Sequence, residues 1–347
     1  MLGENLNGME ELPYDVEIVA MNLNVPWAID ISEDGRLYVT ERIGRIWILQ
    51  DGKFLPEPLI TFEPPFISQE EGGLMGLVLD PDFLTNHYIY VMYSYIEEGR
   101  MYNRVVRLLE QDNKASIDRI LIDQIPGGRT HNGGRLKIGP DQKLYVTTGD
   151  AGTGSLAQDL DSLAGKILRI NLDGSIPEDN PFVNSPVYSY GHRNPQGLAW
   201  NSDQVLFASE HGQTAHDEIN IIIPGGNYGW PVVQGDESTN QFITQKPLIQ
   251  SGNRTWAPAG IVFVSNGIWD GRLLVACLRA EQLLSMVLND NNEAVIGLST
   301  WLVNQFGRLR EAYQARDGSV YLTTSNRDRR RIPNNEDDKI IRLIPRA

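Results

Sequence analysis

The chain has 347 residues, of which 41% are hydrophobic, with 33 glycines and 19 prolines. This composition predicts a sizeable core interrupted by many turns, as in an all-β protein. The formal net charge of −15 argues against a nucleic acid partner, because binding to phosphates needs a positive surface. Cys277 is the sole cysteine, which excludes intrachain disulfides and thiolate zinc sites, and its apolar neighbours predict that it is buried.

No apolar segment of the sequence reaches the roughly 18 residues that cross a membrane. The first residues, MLGENLNGMEELPY, have neither the basic start nor the apolar centre of a signal peptide. We therefore expect a soluble chain without a membrane span.

A strand-like motif occurs six times along the chain. Each copy starts with turn residues, continues as an apolar, β-branched or aromatic run, and begins 47 to 67 residues after the previous one. In chain order the copies are DGRLYVTER from Asp34, NHYIYVMYS from Asn86, DQKLYVTTGD from Asp141, DQVLFASEHG from Asp203, DGRLLVACLR from Asp270 and DGSVYLTTSNR from Asp317.

Each motif has one apolar stretch before it and another after it, which gives three consecutive strands per unit. Six such units predict a six-bladed β-propeller with four antiparallel strands per blade, the outermost strand being the least visible in the sequence. The N-terminal segment YDVEIVAMNL is expected to supply the outer strand that closes the last blade. One propeller domain is therefore predicted over residues 1–347. A β-sandwich and an α/β fold fit less well, because a sandwich lacks this period and helical periodicity is nearly absent.

Polar residues are concentrated in the loops that precede the first strand and follow the second strand of each unit. In a meandering blade these loops lie on the same face, so they are expected to converge at one end of the central channel. Several arginines among them would form an anion site suited to carboxylates, namely Arg193, Arg279, Arg308 and Arg310. Another basic run, at Arg327 and from Arg329 to Arg331, is interpreted as a solvated loop.

His131 is the predicted general base, because a neutral imidazole accepts protons near neutral pH and the glycines of HNGGRL let a ligand approach the backbone. His192, His211 and His216 are weaker candidates. The stretch SEHGQTAHDEINIIIPGGNYGWP, from Ser209 to Pro231, offers carboxylates and carbonyls that suit Ca²⁺, although acidic loops are more often solvent-facing turns.

From about Asn22 to the C-terminus the chain resembles the family of PQQ-dependent soluble glucose dehydrogenases and aldose sugar dehydrogenases. The resemblance is carried by EGGLMGLVLDPDF from Glu71, HNGGRLKIGPDQKLYVTTGD from His131, YGHRNPQGLAW from Tyr190 and the stretch from Ser209. It implies an enzyme that oxidises the anomeric carbon of an aldose to the lactone. The hydride would pass to pyrroloquinoline quinone (PQQ) with the help of Ca²⁺, and the electrons would then pass to an external acceptor.

The same resemblance implies roles for individual residues. His131 would be the catalytic base and Arg193 would stabilise charge on the quinone. The cofactor contacts would be Glu71, His131, Arg193, Asn194, Arg279, Arg308, Arg310 and Asn326. The carbonyls of Gly212 and Gln213 would bind the catalytic Ca²⁺, and Asp217, Glu218 and the Tyr228 carbonyl a second, structural Ca²⁺.

Three departures from the family pattern affect these expectations. Glu71 stands in place of a glutamine, which adds negative charge near an anionic cofactor. Thr130 replaces an acidic residue, so His131 is expected to lack the carboxylate partner that would raise its basicity. The short loops between blades indicate an open site with broad sugar acceptance.

The expected partners are an aldose and an external electron acceptor, without nucleic acid, and a monomer is favoured among the oligomeric states left open. A periplasmic or secreted location is expected, with the cytoplasm as the alternative. Two other functions remain open at this point. A Ca²⁺-dependent propeller lactonase or hydrolase would place carboxylate and Asn ligands on the channel axis, and a non-catalytic binding propeller would keep the fold without the cofactor.

Overall fold

The computed structural model describes residues 11–346, so residues 1–10, which include most of the segment compared with a signal peptide, lie outside the described part. Within the described range the chain is almost entirely β-structure. In chain order the strands are β1 Tyr14–Ala20, β2 Pro26–Ile31, β3 Leu37–Glu41, β4 Arg45–Gln50, β5 Lys53–Phe54, β6 Ile60–Thr61, β7 Leu74–Leu79, β8 Tyr88–Glu97, β9 Arg100–Gln111, β10 Lys114–Pro126, β11 Leu136–Ile138, β12 Leu144–Thr148, β13 Lys166–Ile170, β14 Val187–Tyr190, β15 Pro195–Trp200, β16 Leu206–Glu210, β17 Glu218–Ile222, β18 Ile249–Gln250, β19 Pro258–Phe263, β20 Leu273–Cys277, β21 Gln282–Leu288, β22 Val295–Trp301, β23 Leu309–Gln314, β24 Val320–Thr324 and β25 Ile340–Pro345.

Helical structure in residues 11–346 is limited to α1, Phe83–Asn86, and a single 3₁₀ turn, Gly154–Ala157. Neither of these two elements in the described range is long enough to cross a membrane.

The strands form six antiparallel sheets, in which the strands are ordered from the channel outwards. Five sheets use strands that are consecutive in the chain, and the sixth takes its outermost strand, β1, from the other end of the chain. Blade 1 contains β2 to β5, with β6 also paired to β4; blades 2 to 5 contain β7–β10, β11–β14, β15–β18 and β19–β22; and blade 6 contains β23, β24, β25 and β1. The predicted six-bladed β-propeller with four antiparallel strands per blade is therefore confirmed. All six predicted motifs supply the second strand of a blade.

Strand β1 closes the ring as predicted. It pairs with β25 in an antiparallel register that places Tyr14 opposite Pro345 and Val16 opposite Leu343. The innermost strands also form a closed circle, since β2 packs against both β7 and β23 and the remaining first strands contact their neighbours in turn. Closure removes the wide open edges that an incomplete ring of sheets would expose.

The core lies between adjacent blades, so the inner strands are covered on both faces. Strand β7 is buried at every residue, and β3, β12 and β20 are equally buried. Cys277, at the end of β20, is fully buried as expected. These continuous apolar strands hold the loops at the two ends of the channel in fixed positions.

An ion pair between Arg135 and Glu311 fills the centre of the channel. Arg135 precedes β11 and is only 1% exposed, and its Nη1 donates to the Glu311 carboxylate from β23. Its Nε donates to the Gln196 carbonyl at 2.9 Å, and its guanidinium lies 4.4 Å from the centre of the Trp27 ring. Burial lowers the pKa of Arg135, and the Glu311 charge opposes this shift. The pair thereby joins residues of blades 1, 3, 4 and 6.

We expect Glu311→Gln to lower the free energy of unfolding by about 3–5 kcal/mol, because it leaves a buried guanidinium without its counter-charge. Urea unfolding measures the change. Glu33→Gln is the matched control, since Glu33 pairs with Arg316 in solvent and such pairs contribute up to about 1 kcal/mol. Equal stability of the two variants would contradict the importance of the central pair.

Candidate active site

The loops before the first strands and after the second strands meet at one end of the channel around a cavity of about 340 Å³, called the main cavity. This volume is within the range of small-molecule sites. The predicted site residues that line it are Glu71, His131, Arg193, Gly212, Gln213, Asp217, Arg279 and Arg308. A cavity of similar size lies between blades 1 and 6, but it contains none of the predicted residues.

A narrower space of about 20 Å³, called the throat, has several walls in common with the main cavity. Arg308, Glu71 and His211 border both spaces, whereas Trp27 and Arg310 border the throat alone. The throat therefore links the main cavity to the packed channel centre, where Trp27 also contacts Arg135.

His131 lies in a tight turn before β11 and is 19% exposed on its side chain. Its backbone has a φ of 57°, in the left-handed region, and its N–H donates to Glu71 Oε2 at 2.8 Å. A Cβ on Gly149 would lie 1.9 Å from the His131 carbonyl oxygen, so only glycine at position 149 permits this turn. The loop after β12 of the same blade thus fixes the position of His131.

Asp150 holds the imidazole of His131, with His131 Nδ1 and Asp150 Oδ1 2.8 Å apart. The same carboxylate accepts the Gly152 N–H and the Trp230 indole N–H, both at 2.8 Å. Burial acts to raise the pKa of Asp150, but these contacts, above all the one to His131, outweigh it and lower the pKa. An ionised carboxylate only accepts hydrogen bonds, so the proton of neutral His131 is on Nδ1 and Nε2 is free to act as a base.

The expectation that His131 lacks a carboxylate partner is therefore wrong. The partner comes from the loop after β12 instead of the adjacent position 130. The sequence carried a signal for it, because Asp150 closes the motif DQKLYVTTGD at the same end of the same blade.

Buried arginines make the throat strongly cationic. Arg308 donates from Nε to Asp328 Oδ2 at 2.9 Å, and Arg310 donates from Nη1 to Gln196 Oε1 at 3.2 Å. Burial lowers the pKa of Arg310 to about 9 against the opposing charge of Asp328, and nearby Arg42 adds to the lowering. Arg310 is still charged at neutral pH. Three guanidinium groups around one carboxylate leave a net positive charge that favours an anionic ligand.

Around the main cavity and the throat, buried polar atoms without a hydrogen-bond partner in the described part of the chain include Arg193 Nε, Asn194 Nδ2 and His211 Nε2. Arg193 also donates to the His211 carbonyl at 3.3 Å and lies 5.3 Å from the centre of the Trp230 ring. Burial lowers the pKa of Arg193 and lowers that of His211 to about 4. Unpaired buried polar groups are costly, so these atoms indicate where ligand oxygens would be accommodated.

Asn326 and Arg279 are both predicted cofactor contacts, but of the two only Arg279 lines a cavity. The Asn326 side chain accepts the Arg308 N–H and donates to the Phe306 carbonyl and to Asp337 Oδ1, each at 2.9 Å. It lines neither cavity, so the structure gives it a supporting role behind Arg308 and not the expected ligand contact. Arg279 does line the main cavity, from an exposed position.

A third space of about 10 Å³, called the small cavity, is bordered by oxygen-bearing residues that include Glu210, Glu218, Tyr228 and Gln234. Burial, together with the nearby Glu210 charge, raises the pKa of Glu218 to about 8. Gln234 Oε1 is buried and has no hydrogen-bond partner among residues 11–346. Two close carboxylates and a free amide oxygen are donors that suit a hard cation.

Asp217, predicted to share a Ca²⁺ site with Glu218 and Tyr228, does not line the small cavity with them. It lines the main cavity, and its oxygens accept the N–H groups of Gly212, Trp256 and Ala257 at 2.9, 2.6 and 2.9 Å. Gly212 borders both cavities. The described residues contain no group of three or more His, Cys, Asp and Glu side chains that could hold a metal, so backbone and amide oxygens would have to complete any site.

Several residues of the site were missed or misjudged from sequence. Arg42, Asp150 and Asp328 stand in the channel-end loops but were not selected, although Arg42 and Asp150 directly follow second strands. Arg330, interpreted as part of a solvated loop, pairs with Glu71 in the main cavity. Of the weaker histidines, His192 is fully buried and bonded to Glu210 at 2.8 Å, which is a structural role.

A closed six-bladed propeller that holds the His131–Asp150 pair and buried arginines at one end of its channel places the chain among β-propeller enzymes. The family model described as Glucose / Sorbosone dehydrogenase matches residues 23–333, and the chain belongs to this family of oxidoreductases.

Named relatives agree with this assignment. Quinoprotein glucose dehydrogenase B of Acinetobacter calcoaceticus is 34% identical over 89% of this chain and 73% of its own length. Aldose sugar dehydrogenase YliI of Escherichia coli K12 is 31% identical over 89% of this chain and 90% of its own length. The PQQ-bound aldose sugar dehydrogenase from Streptomyces coelicolor superposes with a TM-score of 0.86 at 36% identity, covering 95% of this chain and 98% of that one.

The Asp150 contact predicts the tautomer of His131. At a pH where the ring is neutral, ¹⁵N NMR of the imidazole should show His131 protonated on Nδ1, and Asp150→Ala should shift the proton towards Nε2 because the acceptor is gone. His192, whose Nδ1 contacts Glu210, is an internal control and should not change. A wild-type His131 protonated on Nε2 would contradict the proposed orientation of the base.

Proposed function

We propose that the protein is a PQQ-dependent aldose sugar dehydrogenase that oxidises the anomeric carbon of an aldose to the lactone. The observation that carries the proposal is that His131, hydrogen-bonded to Asp150, borders the same cavity as Arg193, whose Nε has no partner. A base in this position can remove a hydroxyl proton from the substrate, and the free N–H donor beside it can stabilise charge on the group that accepts the hydride. The names of the quinoprotein and PQQ-bound relatives support the choice of cofactor.

The charges around the throat fit PQQ, which carries several carboxylates and two adjacent quinone oxygens. Arg308 and Arg310 would hold carboxylates by charge-assisted hydrogen bonds, and exposed Arg279 would add charge at the rim. Arg193 and Asn194 would donate to quinone oxygens through their free buried nitrogens. When bound, PQQ supplies the acceptor for a hydride.

His131 performs the proton transfer. Its Nε2 takes the proton of the anomeric hydroxyl as the hydride leaves the same carbon, so the aldose loses one proton and one hydride and becomes the lactone. The Asp150 carboxylate stabilises the resulting imidazolium through Nδ1, 2.8 Å away. Arg193 would stabilise negative charge on the acceptor oxygen, and the two electrons would pass on to an external acceptor.

Two Ca²⁺ ions belong to the proposal. The carbonyls of Gly212 and Gln213, which border the main cavity, would hold a catalytic ion that acts as a Lewis acid. Glu218 and the Tyr228 carbonyl, joined by Glu210 and Gln234, would hold a structural ion in the small cavity. The free Gln234 oxygen and the raised pKa of Glu218 support this second assignment.

The alternatives are less well supported. A Ca²⁺-dependent lactonase would need carboxylate and Asn ligands on the channel axis, which here holds the Arg135–Glu311 pair. A non-catalytic binding propeller has no use for a base oriented by a buried carboxylate. A periplasmic or secreted location and a monomeric state are retained as predictions.

His131→Ala should lower kcat with an aldose and PQQ by about 10²–10⁴-fold, because it removes the proton acceptor. Binding of PQQ to the apoprotein should persist, since the arginines are untouched. His216→Ala is the control, because its ring contacts Gln250 at 3.0 Å and lines none of the three cavities. Near-normal turnover of His131→Ala would move the base elsewhere.

Removal of Ca²⁺ with EGTA should lower both activity and Tm, and added Ca²⁺ should restore them, because an ion bound only by the folded state stabilises it. At a Ca²⁺ concentration of 100 times Kd the gain is about 2.7 kcal/mol. Glu218→Gln should lose most of this gain, whereas Glu178→Gln, at an exposed carboxylate outside the cavities, should keep it. A Tm independent of chelation and of added Ca²⁺ would rule out the structural ion.

A further inference from the structure

Glu71 contacts two parts of the site that are distant in sequence. Its Oε2 accepts the His131 backbone N–H at 2.8 Å, and its Oε1 pairs with Arg330, which lies in the loop between β24 and β25. Both side chains border the main cavity and the throat. The Glu71 side chain is 20% exposed and that of Arg330 is 50% exposed, so the carboxylate lies inside the cavity and the guanidinium covers it from the solvent side.

The loop that carries Arg330 is attached at two points. Arg330 reaches Glu71, in the loop before the first strand of blade 2, and Arg331 pairs with Glu281, between β20 and β21 of blade 5. Asp328 Oδ1 accepts the Arg330 backbone N–H at 3.0 Å, while Asp328 Oδ2 binds Arg308 in the throat. The loop therefore extends across the cavity rim from one side of the channel to the other.

The charge of Glu71 matters because the rest of the throat attracts anions. Burial acts to raise the pKa of Glu71, but the Arg330 charge, the hydrogen bond from the His131 N–H and the nearby charge of His211 together outweigh this effect, and the pKa is lowered. Glu71 is thus ionised at neutral pH. Without Arg330, the uncompensated negative charge of Glu71 would repel an anionic ligand from the cavity. Without Glu71, the rim would have one more net positive charge.

We propose that Glu71 and Arg330 form a charge-compensated strap across the rim of the main cavity. Arg330 sets the affinity for a carboxylated ligand by cancelling the charge of Glu71, without itself contacting the ligand. Glu71 in turn anchors the arginine-rich loop. The identity of the ligand rests on the proposed function, whereas the anchoring does not.

A double-mutant cycle tests the charge effect. PQQ binding to the apoprotein in the presence of Ca²⁺ is measured by titration for the wild type, Glu71→Gln, Arg330→Gln and the double variant. The amide oxygen that Glu71→Gln introduces can still accept the His131 N–H, so the substitution removes charge with little change of shape. Arg330→Gln should weaken binding about tenfold or more, and Glu71→Gln should tighten it several-fold.

The double variant decides between two roles of Arg330. It has the same net charge at the rim as the wild type, so its PQQ affinity should return to within about threefold of the wild-type value. If it binds as weakly as Arg330→Gln, Arg330 contacts the ligand directly and the proposal is wrong. Glu178→Gln is the matched control, because it removes an exposed carboxylate that borders neither cavity and does not hold the loop, and it should leave the affinity unchanged.

Limited trypsin digestion tests the anchoring without any ligand. Cleavage after Arg329 and Arg331, which are exposed, should be several-fold faster in Glu71→Gln than in the wild type. An unchanged cleavage rate would overturn the strap. If the wild type fails to bind PQQ, the proposed function fails, and the digestion still decides whether the strap exists.

Discussion

The buried ion pair between Arg135 and Glu311 is the interaction on which the site depends. It fills the axis where the six inner strands meet, and blade 5 approaches so closely that a Cβ on Gly260 would lie 2.3 Å from Glu311 Oε1. The centre of the Trp27 ring lies 4.4 Å from the guanidinium carbon of Arg135 and 5.5 Å from that of Arg310, which borders the throat. The same packing that closes the propeller therefore fixes the floor of the active site.

In the throat and at the small cavity, burial shifts pKa values in opposite directions. Burial among cations lowers the pKa of Arg310, and burial among carboxylates raises the pKa of Glu218. Each shift reflects a charge that is costly to hold in the folded protein, as is frequent at functional sites. An anion in the throat and a cation in the small cavity would relieve both costs, and these are the charges that the proposed cofactor and Ca²⁺ bring.

The fold could be predicted from sequence because a propeller repeats one local pattern. Turn chemistry followed by an apolar run marks each second strand, and the period then fixes which loops share a face. His131 and Arg308 were found in this way, since both stand in a loop that leads into a first strand. Arg330 was not found, because its position depends on a loop that folds back over the rim to Glu71, and a run of arginines looks the same whether it is solvated or paired.

Asp217 and Asn326 show a different limit of sequence reasoning. Both are polar residues in the correct loops, yet their side chains are occupied by the protein itself: Asp217 accepts three backbone N–H groups, and Asn326 supports Arg308. Sequence gives the position of a polar group but not whether its hydrogen bonds are already used. Arg193 and Asn194 each keep a buried nitrogen without a partner, so their hydrogen-bonding capacity is still available to a ligand, whereas that of Asp217 and Asn326 is used within the protein.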